Sequence, residues 1–169
     1  MDIIVERIDI ESIKEYLKQF DKKTTKIYLG CDSARFRIDG IYYADYCLVV
    51  VVHKNGCNGC EIFGEIQRER DYDNKIQKPK IRLMNEVMKI TQFYLDNKEL
   101  FDEWDTLIHL DINPKHEAGS SCVVNEAIGY VKGTTNITPQ IKDQAFAASY
   151  AADRWKEIKH LKYASIEEN

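Results

Sequence analysis

The sequence predicts an α/β fold: a mixed five-stranded sheet, with a three-stranded antiparallel meander and two further strands parallel to its first, flanked by helices and preceded by an extra N-terminal helix. Three observations predict it. Apolar segments of strand length fall at Lys26–Cys31, Ile41–His53, Cys60–Arg70, Asp105–Ile112 and Ile137–Ile141. The first three are separated only by short turns, which makes them consecutive antiparallel neighbours. Later strands alternate with helical patterns, so right-handed crossovers bring them back parallel to the first.

Residues 9–20 read as a helix, with Asp9 as cap and Ile10, Ile13, Tyr16, Leu17 and Phe20 at helical spacing. The polar run Lys22–Thr25 breaks it, and the first strand ends at Asp32-Ser33. Ile41 to His53 has a nearly continuous apolar centre, the pattern of a strand buried on both faces. Two Asn-Gly pairs between Asn55 and Gly59 mark a hairpin turn, so Cys60–Arg70 returns beside it. Tyr72–Lys80 is polar, contains Pro79 and reads as a loop. From Ile81 to Leu95 the apolar positions follow a helical stripe.

Asp105–Ile112 is a strand stopped by Asn113-Pro114. Ser120 or Ser121 caps a helix through Val131 that Gly133 terminates. Pro139 marks Ile137–Ile141 as an edge strand. Gln144–Ile158 is a helix rich in alanine, small enough on one side to lie close against a sheet. No linker divides the chain, so residues 1–169 read as a single domain in which 1–25 form a helical extension.

The composition is that of a folded globular chain: 44% hydrophobic, 31% charged and 11% aromatic. No apolar run reaches membrane-spanning length, and the first residues lack the pattern of a signal peptide. A cytoplasmic protein is expected. Five cysteines at irregular spacing do not make a disulfide framework. The net charge of −4 does not advertise nucleic-acid binding, yet a basic track beside an acid cluster cancels in such a sum.

The acids at the strand ends carry the chemistry. Asp32 follows Ile27-Tyr28-Leu29-Gly30-Cys31, and Asp111 follows Leu107-Ile108-His109-Leu110, on strands expected to be parallel neighbours. Their ends then lie about 5 Å apart, the spacing of paired strands. Carboxylates that close repel unless a cation intervenes, and Mg²⁺ takes oxygen ligands while leaving room for phosphate. Glu86 lies beside the apolar stripe of the 81–95 helix, and Asp143 precedes the last helix at the same sheet edge. Asp153 competes for that fourth place, but ten helical residues separate it from Asp143 by roughly 15 Å. Geometry favours Asp143, with Asp153 as the alternative. Taken singly, each acid is also a plausible cap, turn or exposed helix residue.

These segments resemble the YkuK family of ribonuclease-H-like nucleases. The resemblance is carried by Leu29-Gly30-Cys31-Asp32-Ser33, by His109-Leu110-Asp111-Ile112 and, most specifically, by Lys142-Asp143-Gln144-Ala145-Phe146 with the small-residue run to Ala152-Asp153. It spans about Lys26 to Arg154, and the helix around Asn85-Glu86 matches the family's glutamate-bearing helix. It implies a ribonuclease H-like fold, a two-metal carboxylate site with Mg²⁺ or Mn²⁺, and a nucleic-acid substrate (RNA, an RNA/DNA hybrid or structured DNA). Asp32, Glu86 and Asp111 would be catalytic acids and metal ligands, with Asp143 or Asp153 as the fourth. One ion would activate water and the other steady the leaving oxygen. The segment Asn113–Gly119 is enlarged relative to the family, and Cys31 and Gln144 replace residues usually different there. His116 in that segment is a candidate for moving protons or releasing product.

Other features carry less. Arg68, Arg70, Lys75, Lys78, Lys80 and Arg82 form a basic run suited to a phosphate backbone or, balanced by Glu69, Asp71 and Asp73, to a solvated loop. Tyr42, Tyr43 and Tyr46 fit core packing better than base stacking. Cys57-Asn58-Gly59-Cys60 has the spacing of half a zinc site but no second pair. The competing function is a non-catalytic nucleic-acid- or protein-binding module on the same fold. An ATPase is disfavoured because no Gly-rich phosphate loop is present.

Overall fold

Alternation along the central strands organises the molecule. The structure, a computed structural model, describes residues 3–56, 58–73 and 79–157. Its strands are β1 (Ile3–Glu6), β2 (Lys26–Ile38), β3 (Ile41–His53), β4 (Cys60–Arg70) and β5 (Asp105–Leu110). Its α-helices are α1 (Ile10–Leu17), α2 (Lys80–Asp96), the short α3 (Lys98–Phe101) and α4 (Val124–Thr135). The sheet runs β1-β4-β3-β2-β5. β2, β3 and β4 form the antiparallel meander, and β2 pairs with β5 in parallel.

On β3, Tyr46, Leu48, Val50 and Val52 enter the main core with α1, α2 and α4, while Cys47, Val49 and Val51 face a smaller cluster with Ala147, Ala151 and Ala152. Burial on both faces is why this strand reads as an unbroken apolar run. The last helix opens with a π-helical turn, Ala147–Ala151, and continues as α-helix over residues 152–157. It seats directly on the sheet. A Cβ on Gly30 would stand 2.5 Å from the Ala148 nitrogen, and one on Gly64 2.5 Å from the Trp155 ring. No side chain fits at either place, so both strands carry glycine where the helix touches them.

The structure corrects several expectations. Ile137–Ile141 is no strand: its pairing reduces to one parallel bridge, His109 to Gln140. Just before it, Asn136 closes α4 in the left-handed conformation (φ 61), and the Ile137 N–H is donated to Thr135 Oγ1 at 3.0 Å. The chain is still finishing the helix there and has little length left for a ladder. The fifth strand is instead β1, antiparallel to β4, at the other edge and ahead of the N-terminal helix. The remaining four strands keep the expected order, with one parallel pair and the rest antiparallel.

β2 does not stop at Cys31 but runs on to Ile38, paired with β3 throughout and turning at Asp39-Gly40. Asp32 is therefore inside a strand. α4 begins after a 3₁₀ turn, Gly119–Val123, and passes Gly133 to end at Thr135. The Asp9 cap stands as expected, its Oδ1 accepting the Glu11 N–H at 3.0 Å. Among the described residues no helix is long and apolar enough to cross a membrane.

Candidate acidic site

The parallel pairing of β2 with β5 ends at Cys31 opposite Leu110. Asp32 and Asp111 are the next residues on each chain, where β2 continues and β5 does not. Asp32 faces the C-terminal helix: its Oδ2 accepts from Lys156 Nζ at 2.8 Å, and the same nitrogen lies 2.9 Å from Asp153 Oδ1. Asp111 Oδ1 is buried and accepts no hydrogen bond among the described residues, although Lys142 Nζ lies 3.3 Å away.

Ser33, one residue on, faces the other way. Its hydroxyl donates to Glu86 Oε1 and accepts from Arg82 Nη1 at 2.7 Å, while that guanidinium also reaches the Ser33 carbonyl at 3.1 Å. The start of α2 is set from a distance. Pro79 has no capping side chain, so the Asp73 carboxylate accepts the N–H groups of Ile81 at 3.0 Å and Arg82 at 2.7 Å. That fixed start directs both Arg82 and, one turn later, Glu86 toward β2.

Glu86 is only 4% exposed. Burial, with the charges of Asp32 and Asp111, pushes its carboxyl well above the usual range, against the opposing pull of Ser33 and Arg82. Burial also raises Asp32, with Lys156 working against the rise and Asp111 and Asp153 adding to it. The three acids thus act on one another electrostatically. Among the described residues no three acid, histidine or cysteine side chains converge into a ready-made cation cage. In donor chemistry, though, these hard carboxylate oxygens suit a divalent ion, and ammonium groups already stand beside Asp32 and Asp111.

Of the two contenders for the fourth acid, geometry brings Asp153 to Asp32, through Lys156. Asp143 is exposed, in a turn where Gln144 N–H bonds to the Ile141 carbonyl at 2.9 Å, and among the described residues no hydrogen bond or ion pair joins it to the other acids. The expected helix begins later than Gln144, which leaves Asp143 outside it. His116 is exposed as well, and its backbone carbonyl accepts from the Ser121 hydroxyl.

Sequence reasoning missed the groups that hold the acids: Ser33, Arg82, Lys142 and Lys156. Lys156 had a readable signal, an i,i+3 spacing from Asp153 on one helix. Also unforeseen is His109, fully buried on β5, whose Nδ1 accepts the Ala147 N–H at 3.2 Å. Burial drives its pKa down from 6.5 to about 4.

The basic run is largely spent on structure. Arg68 forms a two-pronged pair with Asp45 at 2.7 and 2.8 Å, Lys80 pairs with Glu126 at 2.7 Å, and Arg82 holds Ser33. Lys75 and Lys78 lie outside the described residues. The acids expected to balance the run serve elsewhere, Glu69 with Lys89 and Asp71 with Arg35. Tyr46 is buried and Tyr43 partly so, but Tyr42 is exposed with the Arg35 guanidinium 4.0 Å above its ring. Cys60 is an exposed thiol, and Cys57 lies outside the described residues.

The family model described as ribonuclease H-like matches residues 9–157, and the chain belongs to that family. No curated protein and no solved structure matches it.

Proposed function

We propose that this ribonuclease H-like chain is a divalent-metal-dependent nuclease that hydrolyses phosphodiester bonds in RNA, an RNA/DNA hybrid or structured DNA. The observation that carries the reading is Glu86: a carboxylate 4% exposed, aimed at the edge where Asp32 and Asp111 emerge, and raised by their charges. A fold gains nothing from burying an acid beside two others. A cation-binding function explains the expense. The motif order shared with YkuK proteins supports the same reading.

Asp32, Glu86 and Asp111 would hold Mg²⁺ or Mn²⁺, with Asp153 the better-placed fourth acid and Asp143 its alternative. When bound there, a divalent ion supplies a more acidic water and positive charge for the phosphoryl oxygens. The chain's own residues do the rest. Ser33 and Arg82 fix the Glu86 carboxylate. Lys142, half-exposed beside Asp111, offers an ammonium to a phosphate at the rim.

The second reading, a non-catalytic nucleic-acid- or protein-binding module, has one observation in its favour: lysines already neutralise Asp32 and Asp111. Titration with Mn²⁺ separates the two. The nuclease reading expects binding that is lost in Asp32→Asn with Asp111→Asn, and Mn²⁺-dependent cleavage of labelled RNA, hybrid or DNA. Absence of both leaves the binding module.

A further inference from the structure

The contact made by Lys156 is unusual for a site meant to hold two ions. Its side chain is 15% exposed, and its nitrogen stands within hydrogen-bond distance of two carboxylates, Asp32 and Asp153. The helix that carries it is not free to lean away. Trp155, the preceding residue, lies against the space left by Gly64, and Ala147-Ala148 lie against Gly30. Moving Lys156 off Asp32 by tilting the helix means lifting both contacts, which are packed more closely than any side chain allows.

We infer that Lys156 is a built-in cation: its ammonium takes the position between Asp32 and Asp153 that the second ion of a two-metal site would occupy, so the site admits a single divalent ion. This rests on the nuclease reading above and narrows it, since the family resemblance implies two ions. Charge balance agrees. With all four acids ionised, Asp32, Glu86, Asp111 and Asp153 against Arg82, Lys142 and Lys156 leave one negative charge. One divalent ion and one phosphodiester bring that to neutrality, whereas a second ion leaves two positive charges uncompensated in a partly buried site.

The test is a count of bound Mn²⁺ by calorimetry and by the electron paramagnetic resonance of the free ion, on the full chain. The wild type should bind one Mn²⁺. Lys156→Met should bind two, and Lys156→Arg, which keeps the charge, should return to one. Without metal, Lys156→Met should melt lower than wild type, because Asp32 and Asp153 lose their shared partner, and Mn²⁺ should raise its melting temperature more than that of the wild type. If Lys156→Met proves insoluble, Lys156→Gln serves for the same count. Two ions on the wild type, or one on Lys156→Met as on the wild type, overturn the inference while leaving the nuclease reading intact. No ion on any variant removes the nuclease reading itself, and this inference with it.

Discussion

Asp32 and Ser33 are consecutive on one strand, and they look onto two faces of the sheet that treat acids differently. On the α2 face, Glu86 is sealed in and held by a hydroxyl, with its nearest guanidinium nitrogen at 3.9 Å. On the C-terminal helix face, Asp32 meets an ammonium at 2.8 Å. Both acids are raised, and burial is the first cause in each. The difference lies in what opposes it: a hydrogen bond and a distant cation for Glu86, a full ion pair for Asp32. One face therefore keeps a carboxylate short of countercharge, while the other has satisfied its own.

The largest expected effect breaks the helix face. His109 is neutral there, and its displacement from 6.5 to about 4 corresponds to about 3 kcal/mol. Because the folded value is the lower one, this stability is present above pH 6.5 and is lost as pH falls toward about 4. Denaturant titrations across that window should show the loss in the wild type but not in His109→Asn, whose amide oxygen can still accept the Ala147 N–H. Parallel curves for the two proteins would show that His109 carries no such linkage.

Next in size, Gly30→Val should cost about 2–3 kcal/mol by overpacking against Ala148. A change below about 0.5 kcal/mol in chemical denaturation, the usual range for a surface substitution, would mean the helix is not seated as described.

Smaller and opposite in sign, Glu86→Gln should stabilise the metal-free protein by about 1–2 kcal/mol at neutral pH while abolishing Mn²⁺ binding. A carboxyl raised in the folded state contributes stability below its ordinary value, 4.5, that is lost as pH rises through the folded value. The gain from Glu86→Gln should therefore shrink as the solution is acidified, the reverse of the His109 behaviour. Melting temperatures of both proteins at several pH values check it, and a gain that grows in acid contradicts the account.

Much of this was legible in the sequence because it depends on local pattern. Alternation gave the meander, the Asn-Gly pairs gave its turn, and the apolar stripe put Glu86 near the core. What stayed hidden depends on chain geometry over longer distances. The run of β2 past Asp32, by contrast, had a local signal, since Ala34-Arg35-Phe36-Arg37-Ile38 alternates apolar and charged residues up to the Asp39-Gly40 turn. The different surroundings of Asp143 and Asp153 follow from where the last helix begins, and no composition marks a turn through Gln144 followed by a π-helical start. Asp73 capping α2 across Pro79, and Lys156 reaching Asp32 over 124 positions of chain, are contacts that only the folded arrangement reveals.

The π-helical turn at Ala147–Ala151 has a consequence for how this chain tolerates change. A π turn accommodates one residue more than the α-helix around it, and each α-helical residue advances the helix by about 100°. The turn takes up its extra residue as a local widening, so the residues on either side keep the phase of a continuous helix. Losing one alanine there would restore regular winding and leave Asp153 and Lys156 facing Asp32 much as before. A residue lost from the regular stretch between Asp153 and Lys156 would instead swing the lysine by about 100° away from its partners. The π turn is thus where this helix can change length while the lysine stays in phase with the acids.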